Sequence, residues 1–291
     1  MKIQEYIQRV AQRLDSADLC YGHGTDNPLD EAFYLIYGLL GIDFNDEQAV
    51  QRELTDAESM KIEAALECRV NEQIPTAYLV GRAWFAGHEF HCDERALVPR
   101  SPIAELIHGN FQPMLEQPAT RVLDLCTGGG SIGIAIALQW PDCQVDLVDI
   151  SIDALALAKK NIALHDLGDR VRTIESDLMQ AVVGEYDLIV SNPPYVPIEE
   201  YVELPVEFSH EPKLGLVSAD DGLQLPLKIL RDSVDHMSES GVLVMEVGHS
   251  HGQLSERLPQ VPLLWLEFEN GGEGVLALTA RQLLQYREQF I

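Results

Sequence analysis

No apolar run in this chain of 291 residues approaches the roughly 20 residues that a membrane-spanning helix needs. The opening stretch, MKIQEYIQRVAQRL, spaces its apolar residues at helical intervals among charges instead of running them together as a signal peptide does, so a soluble, cytoplasmic protein is expected. Cysteine is scarce and unpaired in pattern. The five residues Cys20, Cys68, Cys92, Cys126 and Cys143 are odd in number and never form C-x-x-C, which indicates neither a disulfide framework nor a zinc site. They read as small buried hydrophobes, and no metal is expected. Positive charge is scarcest of all: 20 basic residues face 47 acids, a formal net charge of −27. A surface of that sign repels a phosphate backbone instead of releasing its counterions, so no sequence-specific nucleic-acid binding is expected. Acidity can simply keep a protein dispersed, or it can meet a basic protein partner.

At 46 % hydrophobic the chain can bury one sizeable core and a smaller satellite. Residues 1–72 read as helical: Ile3, Ile7, Val10 and Leu14 recur at helical spacing, a second helix covers Pro28 to Leu40, and a third covers Asp56 to Asn71. Asn27 can cap the second helix, Pro28 suits its first turn, Asp30 and Glu31 suit its positive end, and Gly41 stops it. Ala77 to Val80 and Ala83 to His91 are short β-prone runs on either side of Gly81-Arg82, which predicts a hairpin leading to Leu97-Val98-Pro99. His88 and His91 suggest a metal at first sight, but their odd spacing on a strand sends them to opposite faces, which favours a structural or surface role.

From Arg121 onward strands alternate with helices. Val122 to Leu125, Gln144 to Asp149, Val171 to Glu175, Tyr186 to Val190 and Gly241 to Val247 predict buried parallel strands, with helices near 131–139, 153–165 and 222–238. Leu263 to Phe268 and Gly274 to Thr279 are joined by Gly271-Gly272, too tightly for a helical crossover. The last strand is therefore expected to run antiparallel to its neighbour. No internal repeat or low-complexity tract interrupts this α/β pattern.

The first chemical signal is VLDLCTGGGSIGIAIA, Val122 to Ala137. Gly128, Gly130 and Gly133 fit G-x-G-x-x-G between a strand and a helix, and Asp149 ends the next strand about 20 residues on. Glycines let backbone approach a ligand, while a carboxylate at a strand end can take both hydroxyls of a ribose. An adenosine-containing cofactor is implied, although NAD enzymes share the pattern and a plain glycine turn can imitate it.

Asp124-Leu125-Cys126-Thr127-Gly128-Gly129-Gly130 resembles motif I of the Rossmann-like S-adenosylmethionine methyltransferases, whose sheet ends in an antiparallel strand. The resemblance implies a class I methyltransferase sheet, with motif I facing the methionine part of S-adenosyl-L-methionine and Asp149 holding its ribose. Asp177 and Leu178 match the position beside the adenine, where a helix cap is the alternative for Asp177.

A second signal is Ser191-Asn192-Pro193-Pro194-Tyr195, directly after the strand Tyr186 to Val190. Asn192 precedes a proline and so is held extended, and the Pro193 carbonyl has no ladder to join. Together they offer two acceptors to one planar NH₂ group at the edge where open α/β sheets bind ligands. Two such acceptors can aim a delocalised nitrogen lone pair at a sulfonium methyl and stabilise the positive charge that develops, while Tyr195 supplies a flat wall.

This N-P-P-Y tetrad resembles that of methyltransferases acting on planar amino nitrogens. The chain as a whole, from about Pro28 onward, is similar to the HemK-like protein-glutamine methyltransferases: a small helical domain, Pro75-Thr76-Ala77-Tyr78 and Gly81, Leu97-Val98-Pro99-Arg100, motif I, N-P-P-Y, Glu211-Pro212 and Asp221-Gly222-Leu223. The resemblance implies a helical substrate-recognition domain at 1–72, a β-hairpin linker at 73–100 and a catalytic domain at 101–291. It also implies catalysis by Asn192, Pro193 and Tyr195, and cofactor contacts from Asp124, Cys126, Thr127, Gly128, Gly129, Gly130, Asp149, Asp177, Leu178 and Asn192. Substrate contacts are implied for Asn192, Pro193, Pro194, Tyr195, Arg100 and Glu211, with S-adenosyl-L-homocysteine as product and no metal. Release-factor enzymes of the family read P-R-P-E-T-E where this chain has Pro99-Arg100-Ser101-Pro102-Ile103-Ala104-Glu105. That departure, with Gly22-His23-Gly24-Thr25-Asp26-Asn27-Pro28, is similar to the branch that modifies a glutamine of the third protein of the large ribosomal subunit. A release factor and an adenine amine of nucleic acid are the alternatives. A basic ribosomal protein gives the acidity a use: Glu199, Glu200, Glu203, Glu207, Glu211, Asp220 and Asp221 stand against Lys213 after the tetrad, a lip suited to a cationic chain or else simply solvated loop charge.

Overall fold

The structure, a computed structural model, describes all 291 residues. Of the N-terminal helices, the first is held by an apolar stripe, and the second and third begin at side-chain caps. Helix α1 (Ile3–Asp15) buries Ile3, Ile7, Val10 and Leu14. Helix α2 (Pro28–Leu40) begins at Asn27, whose side chain accepts from the Leu29 and Asp30 amides, and stops at Gly41 in the left-handed conformation. Helix α3 (Asp56–Asn71) begins with a reciprocal cap between Thr55 and Glu58. The three enclose a small core of their own around Leu14, Leu35, Ile36, Ile62 and Leu66.

The predicted strand Ala77 to Val80 is instead helix α4 (Thr76–Val80), packed on α2 where Gly38 leaves room for the Val80 side chain. Five apolar residues carry no usable period, whereas Pro75 before them and Gly81 after them are a helix start and stop. The hairpin lies one step later: β1 (Arg82–Phe85) pairs with β2 (His88–His91), and the chain reverses at Ala86-Gly87, both at positive φ as a two-residue hairpin turn requires. His88 lies edge-on to the His165 ring.

After the short helix α5 (Ile103–His108) the alternation begins: β3 (Arg121–Leu125), α6 (Ser131–Gln139), β4 (Gln144–Asp149), α7 (Ile152–Leu164), β5 (Val171–Glu175) and β6 (Tyr186–Ser191). A long excursion follows, with α8 (Ile198–Tyr201), a 3₁₀ turn at Val206–His210, and α9 (Lys213–Leu216). The chain returns through α10 (Gln224–Asp232) to β7 (Met237–Glu246), then α11 (His251–Arg257), β8 (Leu264–Trp265), β9 (Val275–Thr279) and α12 (Ala280–Tyr286). The helix expected over 222–238 thus ends early, because Met237 already pairs with Tyr186 on β6.

The sheet has seven strands in the order β5-β4-β3-β6-β7-β9-β8. All neighbours are parallel except β9, which runs antiparallel to β7 and β8. This meets the expectation of a mostly parallel sheet with an antiparallel final strand. Apolar side chains cover both faces and form two large cores. From β3 the chain moves outward to β4 and β5, then crosses back to place β6 on the other side of β3. That reversal opens a crevice at the carboxyl ends of β3 and β6, where open α/β sheets hold ligands.

The helical part is keyed to the excursion after β6 by buried charge. Arg69, 2 % exposed, bonds Glu31 of α2, the Cys20 carbonyl at 3.0 Å and Glu207 at 3.0 Å. Glu207 also accepts from the Cys20 amide at 2.7 Å. Charges this buried persist only when mutually satisfied.

Candidate active site

The segments that follow β3, β4, β5, β6 and β7 meet at that crevice, with residues 95–102 and the excursion after β6, around a cavity of about 580 Å³. The loop after β3 is shaped from beneath. Asp124, 1 % exposed, accepts from Thr127 Oγ1 at 2.6 Å and from the Gly133 amide at 2.9 Å. Burial pushes its carboxyl up to about 7 against those two donors. Asp124 therefore supports the loop from below and stays off the cavity wall, and Gly130 does likewise: at φ 85° it turns the chain into α6, where a Cβ would meet Ile134 and Leu147 at 3.0 Å. Cys126, Thr127, Gly128 and Gly129 are the members of this loop that line the cavity.

Asp149 ends β4 facing the same loop. Its two oxygens accept from the Gly128 amide at 2.8 Å and the Ser151 amide at 2.9 Å, so each retains acceptor capacity toward the cavity. Burial raises its carboxyl above the ordinary range while the backbone donors oppose the rise. Asp177 and Leu178 follow β5 and line the far end, with Asp177 at 3.2 Å from Lys228 Nζ.

The tetrad leaves the end of β6 beside the motif I loop. Asn192, Pro193, Pro194 and Tyr195 all line the cavity. None of the protein's own donors pairs with the Pro193 carbonyl. The Tyr195 ring is seated on Gly248, where a Cβ would stand 2.7 Å from ring atom Cε2, and its hydroxyl donates to Glu246 Oε1 at 3.2 Å. Glu246, at the end of β7, also accepts from Ser101 Oγ at 2.6 Å.

Arg100 and Glu211 are brought together and spend themselves on each other. Two guanidinium nitrogens each reach a Glu211 oxygen at 2.6 Å, the Val98 amide donates to the same carboxylate at 2.9 Å, and His23 Nε2 lies 3.5 Å away. Burial alone would raise the Glu211 carboxyl, but the Arg100 ion pair and His23 outweigh it and hold it at about 2. Only Arg100 of the pair lines the cavity. Glu207 and Glu211 are buried, so the acidic lip is smaller than the sequence implies: Glu199, Glu200, Glu203, Asp220 and Asp221 remain exposed. Phe208, tilted against the His23 ring and lining the cavity, was not legible as a site residue. Glu246 and Ser101 were missed as well, although an acid closing a buried strand at the ligand edge was a readable sign for Glu246.

The strand order, the antiparallel β9 and a glycine loop facing a strand-end carboxylate define a class I methyltransferase. Solved structures agree at the level of fold: the hMettl16 catalytic domain in complex with MAT2A 3′UTR hairpin 1 superposes with a TM-score of 0.56 at 17 % identity, covering 86 % of this chain and 91 % of that one. A family model described as Methyltransferase small domain matches residues 109–205. A ribosomal protein uL3 glutamine methyltransferase of Xanthomonas campestris pv. campestris is 48 % identical over 98 % of this chain and 93 % of its own length. One of Francisella tularensis subsp. tularensis is 43 % identical over 99 % and 93 %. The chain belongs to the family of ribosomal protein uL3 glutamine methyltransferases.

Proposed function

We propose that this enzyme transfers a methyl group from S-adenosyl-L-methionine to the side-chain amide nitrogen of a glutamine in ribosomal protein uL3, a cytoplasmic reaction. The observation that carries the reading is the pairing of Asn192 with the unbonded Pro193 carbonyl at the wall of a cavity that Asp149 and the motif I loop also line. Asp149, with acceptor capacity left on both oxygens, suits a ribose diol, and the open backbone of Gly128 and Gly129 suits a close-lying amino-acid moiety. Bound there, the cofactor supplies an electrophilic sulfonium methyl and leaves as S-adenosyl-L-homocysteine.

The residues of the chain do the rest by positioning. Asn192 Oδ1 and the Pro193 carbonyl accept the two amide protons, which turns the nitrogen lone pair out of conjugation and steadies the charge that grows on nitrogen. Tyr195 and Phe208 flank a planar group. The nitrogen gains a carbon and loses one proton to solvent or a neighbouring carbonyl, and no covalent enzyme adduct is needed. The helical segment 1–72 and the hairpin segment 73–100 serve substrate recognition, with the exposed acids of the lip drawing in a cationic chain.

The test is transfer of labelled methyl to separate pools of large-subunit proteins, release factors and nucleic acid. Label is expected in uL3 as methylglutamine. Label confined to release factors would move the substrate within the family, and label confined to nucleic acid would overturn the protein-glutamine reading.

A further inference from the structure

Asn161, on α7, is 1 % exposed and spends its whole side chain on backbone. Its Oδ1 accepts from the His91 amide at 2.7 Å, and its Nδ2 donates to the His91 carbonyl at 3.2 Å and to the Gly129 carbonyl at 2.9 Å. One side chain thus joins the end of β2 to a motif I residue that lines the cavity. The peptide between Gly129 and Gly130 is held at both ends, because the Gly130 amide donates to the Thr127 carbonyl at 2.9 Å. The neighbouring amides divide into two groups. Those of Thr127, Gly128, Gly130 and Gly133 are taken by Val148, Asp149, Thr127 and Asp124. Those of Gly129, Ser131 and Ile132 have no partner in the protein, and all three residues line the cavity where α6 begins. Unspent amides at the first turn of a helix favour a carboxylate.

We propose that Asn161 is a positioning residue for the methyl donor: by holding the Gly129 carbonyl on the α7 side, it keeps the unpaired amides of Gly129, Ser131 and Ile132 open to the carboxylate of the donor's amino-acid moiety. This inference rests on the S-adenosylmethionine reading above. Without Asn161 the Gly129–Gly130 peptide is free to rotate, and a carbonyl oxygen brought round to the cavity repels a carboxylate. The His91 arm supplies the rigidity. Oδ1 and Nδ2 grip the amide and the carbonyl of one residue, as a neighbouring antiparallel strand does, so the amide cannot swing while it supports the loop. With its one acceptor and both donor hydrogens engaged, the buried group has no competing partner.

The test is calorimetric binding to the full-length protein, with no protein substrate present, of two donors: S-adenosylmethionine and decarboxylated S-adenosylmethionine, which keeps the sulfonium and the amine and lacks only the carboxylate. Wild type is expected to prefer the first by about 10-fold or more, the scale of charge-assisted hydrogen bonds. In N161A that preference should fall to about threefold or less, through weaker binding of S-adenosylmethionine, while the decarboxylated donor stays within about twofold of its wild-type affinity. A residue that merely supports the fold would weaken both donors alike, so the ratio separates positioning from general loosening. Should N161A fail to fold, N161S repeats the comparison with a hydroxyl left in the buried site, and the wild-type preference is measured whatever the variants do. A wild type without preference for the carboxylate, a preference undiminished in the variant, or equal weakening of both donors overturns the assignment. A wild type that binds neither donor would instead defeat the cofactor reading itself, a separately visible failure.

Discussion

Replacing Glu211 with Gln keeps the shape of a buried side chain and removes its charge. The wild-type carboxylate takes two bonds from Arg100 at 2.6 Å and one from the Val98 amide at 2.9 Å. It is held at about 2 against an ordinary 4.5. At about 1.4 kcal/mol for each pH unit between those values, ionisation contributes about 3 kcal/mol to the folded state. Because the folded value is depressed, that contribution is fully present above pH 4.5 and is lost as pH falls toward about 2. E211Q should therefore be about 2–3 kcal/mol less stable than wild type at pH 7, with the gap closing by about half at pH 3. Urea unfolding at both pH values measures it. R100M should cost more than E211Q, about 3–5 kcal/mol, because it strands a buried charge, and the double variant should cost less than the sum of the two. A loss equal at pH 7 and pH 3, or additive single effects, would refute a coupled buried pair as the support of this wall.

Three further outcomes are expected. Asn192→Ala should leave donor binding within a few fold and reduce turnover by about 10²-fold or more, measured by single-turnover methylation; near-normal turnover would show that Asn192 does not orient the amide. Asp149→Ala should weaken S-adenosylmethionine by about 1.5–3 kcal/mol and appear mainly in the donor Michaelis constant, whereas unchanged calorimetric affinity would remove it from the ribose. Reversing the exposed Glu199, Glu200 and Glu203 to lysine should slow association with the basic substrate and flatten its salt dependence, since exposed charges act on encounter and are screened within about 8 Å at physiological ionic strength. An unaltered salt slope would mean that the lip is only solvated.

The amino-acid order alone determined what depends on local rules. Asn27, Pro28 and Gly41 mark the ends of α2 by capping and by backbone freedom, the glycines after β3 announce close backbone approach, and the doubled proline after β6 announces acceptors without a ladder. Strands buried on both faces, such as the stretch Val242 to Met245, read as unbroken apolar runs and were found for that reason. Short segments were not legible in the same way: Thr76–Val80 became helix because α2 offered it a groove at Gly38, and the hairpin turned at Ala86-Gly87 only because β1 and β2 found that register. Which acids lie on the surface was decided only in three dimensions, since Glu207 and Glu211 are neutralised by Arg69 and Arg100, 138 and 111 positions away in the chain. The role of Asp124 beneath its loop, and the convergence of Ser101 and Tyr195 on Glu246, follow from the order in which the strands pair. Side-chain chemistry can be read one residue at a time, but a carboxylate's partners are chosen by packing, which joins segments that the linear order keeps apart.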